Sequence, residues 1–107
     1  MNDIYQEIAL LLFDLEAELR RLQLWDTVPP DPQALQSDQP FCIDTLAFYQ
    51  WVQFMLLPRM AIIIDARAAL PLNSAIAPMA EEYFRGMTVS GEVVIELLRR
   101  FDVLLSG

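Results

Sequence analysis

Histidine and lysine are both absent from this 107-residue chain, and cysteine occurs once. Without histidine there is no side chain that titrates near neutral pH unperturbed, and no Ser-His or Cys-His nucleophile can be built. Without lysine there is neither a Schiff-base amine nor a P-loop phosphate ligand. A lone Cys42 excludes an intrachain disulfide; its apolar neighbours Phe41 and Ile43 mark it as a small buried hydrophobe in a reducing compartment. Metal chemistry is equally thin. Glu81 and Glu82 are adjacent and point to different sides of a helix, no Glu-x-x-His occurs, and neither a metal site nor a bound cofactor is expected. No Gly-x-Gly-x-x-Gly, Walker A or Gly-x-Ser-x-Gly motif is present. These absences together argue against an enzyme.

What is there is apolar and acidic. Hydrophobic residues make up 55% and charged residues 21%, against typical values of about 45–50% and 25%, so the chain is globular, with apolar surface to spare for a partner. The length suits one domain over residues 1–107, with a core burying roughly two-thirds of the unfolded surface. The formal net charge is -8, which repels phosphate backbones and anionic headgroups. Direct nucleic-acid or membrane contact is therefore not expected, whereas a protein with a basic or apolar contact surface is a suitable partner. Thr45 to Ile64 is apolar, but Gln50, Gln53, Pro58 and Arg59 interrupt it, so it is not a membrane span. The first residues lack the basic segment of a secretory signal, and a cytoplasmic location is expected.

Periodicity predicts an all-α four-helix bundle. Ile4, Ile8, Leu11, Leu12, Leu15, Leu19 and Leu22 form a helical stripe, with Glu7, Asp14, Glu18 and Arg21 opposite and Asn2 or Asp3 as cap. Trp25 to Pro40 has no periodicity and four prolines, which predicts an extended connection, either a structural strap or a binding loop. A long central helix follows from Phe41 or Asp44 to Ala68, apolar nearly all round, with Asp44 as its cap and a bend or break near Pro58. A third helix is predicted over about residues 76–85, opened by Asn73-Ser74 and stopped by Gly86. Thr88 or Ser90 caps a last helix carrying Val93, Val94, Leu97, Leu98, Phe101, Leu104 and Leu105.

The ordered set Ser37-x-Gln39-Pro40-Phe41-x-x-Asp44-Thr45, Trp51-x-Gln53, Pro58-Arg59-Met60, Leu70-Pro71 and Ala77-Pro78 resembles the YqcC-like family of small bacterial proteins over nearly the whole chain. The resemblance implies a four-helix bundle with no established biochemical activity and no assigned catalytic residue. It also implies an RNA-modification context, because such proteins are often encoded near a tRNA pseudouridine synthase. The acidic charge routes that link through a protein partner rather than through RNA.

The candidate ligand- or partner-binding residues are Phe41, Asp44, Tyr49, Trp51 and Arg59. Asp44 and Arg59 lie fifteen residues apart, roughly 22 Å along a straight helix, so each needs another partner. Arg59 is expected to be partly buried, bonding carbonyls freed at Pro58 or an acid such as Asp14 or Asp102; the alternative is an anion clamp. Trp51 is expected to anchor the core. The leading functional expectation is a non-catalytic cytoplasmic protein-protein interaction module. The alternative is a small-molecule binder with a pocket between the Pro-rich loop and the second helix, walled by Phe41, Tyr49 and Trp51. Leu10 and Val103 fall on otherwise polar helix faces, which predicts a monomer or at most a weak homodimer.

Overall fold

The stripe on the first eighteen helical residues determines how the chain folds back on itself. The structure, a computed structural model, describes residues 3–106. Helix α1 (Ile4–Arg21) starts at Asp3, whose carboxylate accepts from the Tyr5 amide at 3.0 Å and relieves one of the unpaired first-turn donors. The other predicted cap, Asn2, lies outside the described residues. Ile8, Leu12, Leu15 and Leu19 of α1 are buried, each side chain contributing about 1.5–3 kcal/mol of transfer free energy. Glu18 corrects the expected polar face, because it is buried as well. Arg21 holds it through two hydrogen bonds of 2.8 and 2.7 Å, which keep its carboxyl below the usual glutamate range.

After α1 the Pro-rich strap turns through a short 3₁₀ helix, Pro32–Gln36, capped by the Asp31 carboxylate accepting from Gln33 N–H at 2.9 Å. A second one, Pro40–Cys42, contains Phe41 at φ 58°. The central helix does not begin at Phe41 or Asp44. Backbone bonds from Thr45 and Leu46 to the Cys42 carbonyl close a turn there, and the helix starts at Phe48 with Ala47 as N-cap residue. Gln50 supplies the missing acceptor, its Oε1 receiving the Ala47 N–H at 2.9 Å. Asp44 instead accepts a hydrogen bond from the Ser37 hydroxyl.

The central helix runs as α2 (Phe48–Trp51), a π segment (Val52–Leu56) and α3 (Leu57–Ala66). The irregularity expected near Pro58 takes the form of this π segment. Pro58 has no N–H and its ring crowds the carbonyl four residues back. The wider turn, with Leu57 N–H reaching Val52 C=O, accommodates it without ending the helix.

Helix α4 (Ala77–Phe84) and helix α5 (Glu92–Leu104) complete the bundle. Helix α4 begins within a residue of the expected position, but its cap does not come from Asn73-Ser74 alone. Asp102, from α5, receives Ile76 N–H at 3.0 Å, Ala77 N–H at 2.8 Å and the Ser74 hydroxyl at 2.5 Å, so the N-terminus of α4 is capped across the fold. Helix α5 has Gly91 at its N-cap position, and the expected Ser90 contributes from one residue earlier, its hydroxyl accepting from Glu92 N–H at 3.4 Å. A Cβ at Gly91 would lie 2.2 Å from the Phe84 ring, so the close approach of α4 demands glycine. Gly86, at φ 87°, makes the predicted stop after α4.

Helix α1 packs chiefly on α5, and α4 on α5. All of them, with Val52, Leu56 and Met60 of the central helix, share one apolar core. Among the described residues there is no strand, and no helix is long and apolar enough to cross a membrane.

Candidate functional site

Three of the five candidate residues meet. Phe41, Trp51 and Arg59 line a cavity of about 380 Å³ bounded by the central helix, the 69–76 connection and the C-terminal half of α5. Only Phe41 comes from the segment that follows the strap, so this is not the pocket between strap and second helix that the sequence suggests. The Phe41 and Trp51 rings meet edge to face with centroids 4.8 Å apart. Phe41 reaches this position because its backbone is left-handed, a conformation rare for a bulky side chain.

Arg59 corrects the expectation of a partly buried structural cation. It is exposed, and it makes no hydrogen bond or ion pair with any described residue. The partners proposed for it are elsewhere: Asp102 caps α4, and Asp14 lies in the groove between α1 and α5. The π segment absorbs the irregularity at Pro58 through the backbone alone.

Tyr49 and Asp44 face the strap rather than the cavity. Tyr49 Oη donates to Asp26 Oδ1 and Gln50 Nε2 to Asp26 Oδ2, both at 2.9 Å. The buried Gln53 pairs with the backbone of the same residue, its Oε1 accepting from Asp26 N–H at 2.9 Å and its Nε2 donating to Asp26 C=O at 2.8 Å. Burial first, and then the Asp26 carboxylate, push the Tyr49 phenol above its usual range; Tyr83 is raised by burial and by the same charge. Thr45 Oγ1 donates to Ala34 C=O at 2.7 Å. The 25–40 segment is thereby stitched to the central helix as a strap. The clue in the sequence was Tyr49, Gln50 and Gln53 crowding one side of an otherwise apolar helix.

Leu10, which the sequence marks as apolar on a polar face, is joined by a second exposed residue, Phe13, that the sequence does not single out. Leu10 and Phe13 of α1 are 61% and 74% exposed and share one face of the helix. Leu10 opens onto a groove of about 550 Å³ shared with Val103 and Leu104 of α5 and rimmed by Glu7, Asp14, Glu96, Arg99 and Arg100. Phe13 opens onto one of about 320 Å³ against Leu57, Ala61 and Ile64 of α3. The result is an apolar ridge with a groove on either side. Among the described residues no three His, Cys, Asp or Glu side chains converge as a metal site would require.

Comparison with known proteins returns the same fold and a narrow set of relatives. The family described as "DUF446: tRNA pseudouridine synthase C" matches residues 7–104. The chain is 32% identical over 102 residues to the uncharacterized protein YqcC of Escherichia coli K12, covering 95% of this chain and 94% of that protein. The solution NMR structure of YqcC superposes with a TM-score of 0.83, over 96% of this chain and 88% of that one. An uncharacterized protein of Haemophilus influenzae is 39% identical over 71 residues, 66% of this chain and 67% of its own length. A protein of Pectobacterium carotovorum named tRNA pseudouridine synthase C is 43% identical over 60 residues, 56% of this chain but only 16% of that protein.

Proposed function

This chain belongs to the DUF446 family, and on that premise we propose that it is a non-catalytic accessory module, cytoplasmic, that docks onto a tRNA pseudouridine synthase. The observation that carries this reading is the Pectobacterium protein, in which a segment like this one makes up 16% of a polypeptide named for that activity. Two units joined in one chain are held at high effective concentration, and a weak docking contact between them survives. When they are separate chains, the contact itself must supply the affinity.

The exposed ridge of Leu10 and Phe13 is the surface that fits the role. Two neighbouring large apolar side chains left in water, with grooves beside them, are the central anchors of a protein contact rather than scattered surface residues. Glu7 and Asp14 on the α1 side of the rim, where Glu96 is already paired with Arg99 and Arg100, and the overall charge of -8 favour basic residues around the partner's anchor. Chemistry on a tRNA base calls for a basic groove and a pocket for an extruded base. Six of the seven arginines here are instead tied to carboxylates.

Two readouts test the proposal. The chain alone, incubated with tRNA, is expected to form no pseudouridine; conversion would overturn the non-catalytic reading. Mixed with a tRNA pseudouridine synthase from the same genome, the chain is expected to co-elute with it in size-exclusion chromatography. The double variant Leu10→Glu/Phe13→Glu is expected to elute alone while keeping its own thermal melt. Co-elution of that variant as strong as wild type would remove the ridge from the contact.

A further inference from the structure

In a chain with twice as many acids as bases, an arginine left without a carboxylate is conspicuous. Arg20, Arg21, Arg67, Arg85, Arg99 and Arg100 each pair with a glutamate or an aspartate. Arg59 pairs with none among the described residues, and it stands on the lining of the 380 Å³ cavity. The rest of that lining is almost wholly apolar. Its other polar groups are the Ser74 hydroxyl, which already donates to Asp102, and the indole N–H of Trp51.

The volume lies at the lower end of the range for small-molecule sites, about 300–1,000 Å³. At about 30 Å³ for each water-sized group it holds roughly a dozen non-hydrogen atoms. The walls are rigid aromatics on one side, Phe41 against Trp51, and on the other the apolar side chains of the central helix with Phe101 of α5 and Leu105 just after it. Phe41 keeps a left-handed backbone at φ 58° to present its ring there, and strain of that kind persists where the surroundings hold a wall in place. A single guanidinium presents a planar pair of donors that matches the two oxygens of a carboxylate. A phosphate dianion would call on several further donors, and beside Arg59 and the already engaged Ser74 the lining side chains offer only the Trp51 indole N–H. With a net charge of -8 repelling anions at a distance, a bare head group would gain little, so the affinity must come from burying an apolar body.

We propose that this cavity binds an apolar monocarboxylate, its carboxylate on Arg59 and its tail between the Phe41–Trp51 wall and α5. This is independent of the docking surface, which lies on α1.

Isothermal titration calorimetry on the full chain tests it with decanoate below its micelle concentration, and with decan-1-ol, decylammonium and acetate as contrasts. Decanoate is expected to bind saturably at one site, at least ten-fold more tightly than decan-1-ol or decylammonium, and acetate not at all. Arg59→Gln is expected to weaken decanoate at least ten-fold at an unchanged melting temperature, with Arg59→Lys in between. Ala75→Phe, which fills the mouth from an exposed position on the lining, is expected to abolish binding. Equal affinity for alcohol and carboxylate on the wild-type chain would overturn the assignment of the head group without recourse to any variant. The absence of saturable decanoate binding, or binding that persists in Ala75→Phe, would overturn the site itself.

Discussion

Replacing Gln53 by leucine roughly conserves volume and removes two of the four hydrogen bonds that join Asp26 of the strap to the central helix. Gln53 is 8% exposed, and its amide satisfies both the N–H and the C=O of Asp26 at 2.9 and 2.8 Å. Losing them leaves two partly buried backbone groups without partners, at about 1–3 kcal/mol each. The gain from burying a leucine, about 1–2 kcal/mol, offsets part of that. A net loss of about 2–3 kcal/mol is expected, or roughly 10–20 °C in Tm for a domain of this size. Urea melts followed by circular dichroism and by tryptophan fluorescence measure it. Gln53→Glu refines the test. An ionised carboxylate still accepts from Asp26 N–H but has no hydrogen for the Asp26 carbonyl, so the variant is expected to be unstable at neutral pH. Burial raises its folded pKa, so the folded state binds the proton more tightly than the unfolded chain and stability recovers as pH falls. Gln53→Leu melts within about 0.5 kcal/mol of wild type, the scale of an inert surface change, would refute the reasoning that the strap is held by this amide.

Other substitutions probe single features. Asp102→Ala strips the α4 cap from two amides and the Ser74 hydroxyl and is expected to cost about 2–3 kcal/mol, with Asp102→Asn at about half, by urea denaturation. Gly91→Ala places a methyl against the buried Phe84 ring and is expected to cost about 1–3 kcal/mol by overpacking, although its φ of -98° suits alanine. Arg59→Ala should melt within about 0.5 kcal/mol of wild type, since the side chain is exposed and bonded to no described residue. Glu18 has a carboxyl held low in the folded chain by Arg21. Its stabilisation is therefore complete above the unfolded pKa of about 4.3 and is lost as pH falls through the lower folded value. Urea midpoints of Glu18→Gln and wild type should differ at neutral pH and converge at the acid end.

The helices were legible because periodicity is local. The stripe of α1 and the apolar positions of α5 need only a 3.6-residue repeat to be read, and Pro58 and Gly86 act on their own neighbours. What escaped were contacts between residues far apart in sequence. Asp44 precedes an apolar run and so resembles a cap, yet the Cys42 turn takes up the residues after it and Gln50 caps the helix from within. Nothing near Ile76 predicts that its helix is capped from Asp102. Glu18 follows the polar side of the α1 pattern, and only the position of Arg21 allows it to be buried. For the candidate site, Phe41, Trp51 and Arg59 stand out in the sequence as aromatic and cationic residues in apolar surroundings, and the fold places them on one cavity. Tyr49 went with them in the sequence but turns to Asp26, a residue of the strap with no local signature. The ridge of Leu10 and Phe13 was hardest to see, because an exposed leucine is common and only adjacency in space makes a patch.

The docking claim rests most directly on one calorimetric titration of this chain into the purified tRNA pseudouridine synthase from the same genome. The account predicts a saturable one-to-one isotherm with Kd on the order of micromolar or tighter, about -8 kcal/mol. An absence of binding heat at several temperatures, with both proteins folded and at concentrations on the order of 100 µM, would contradict it.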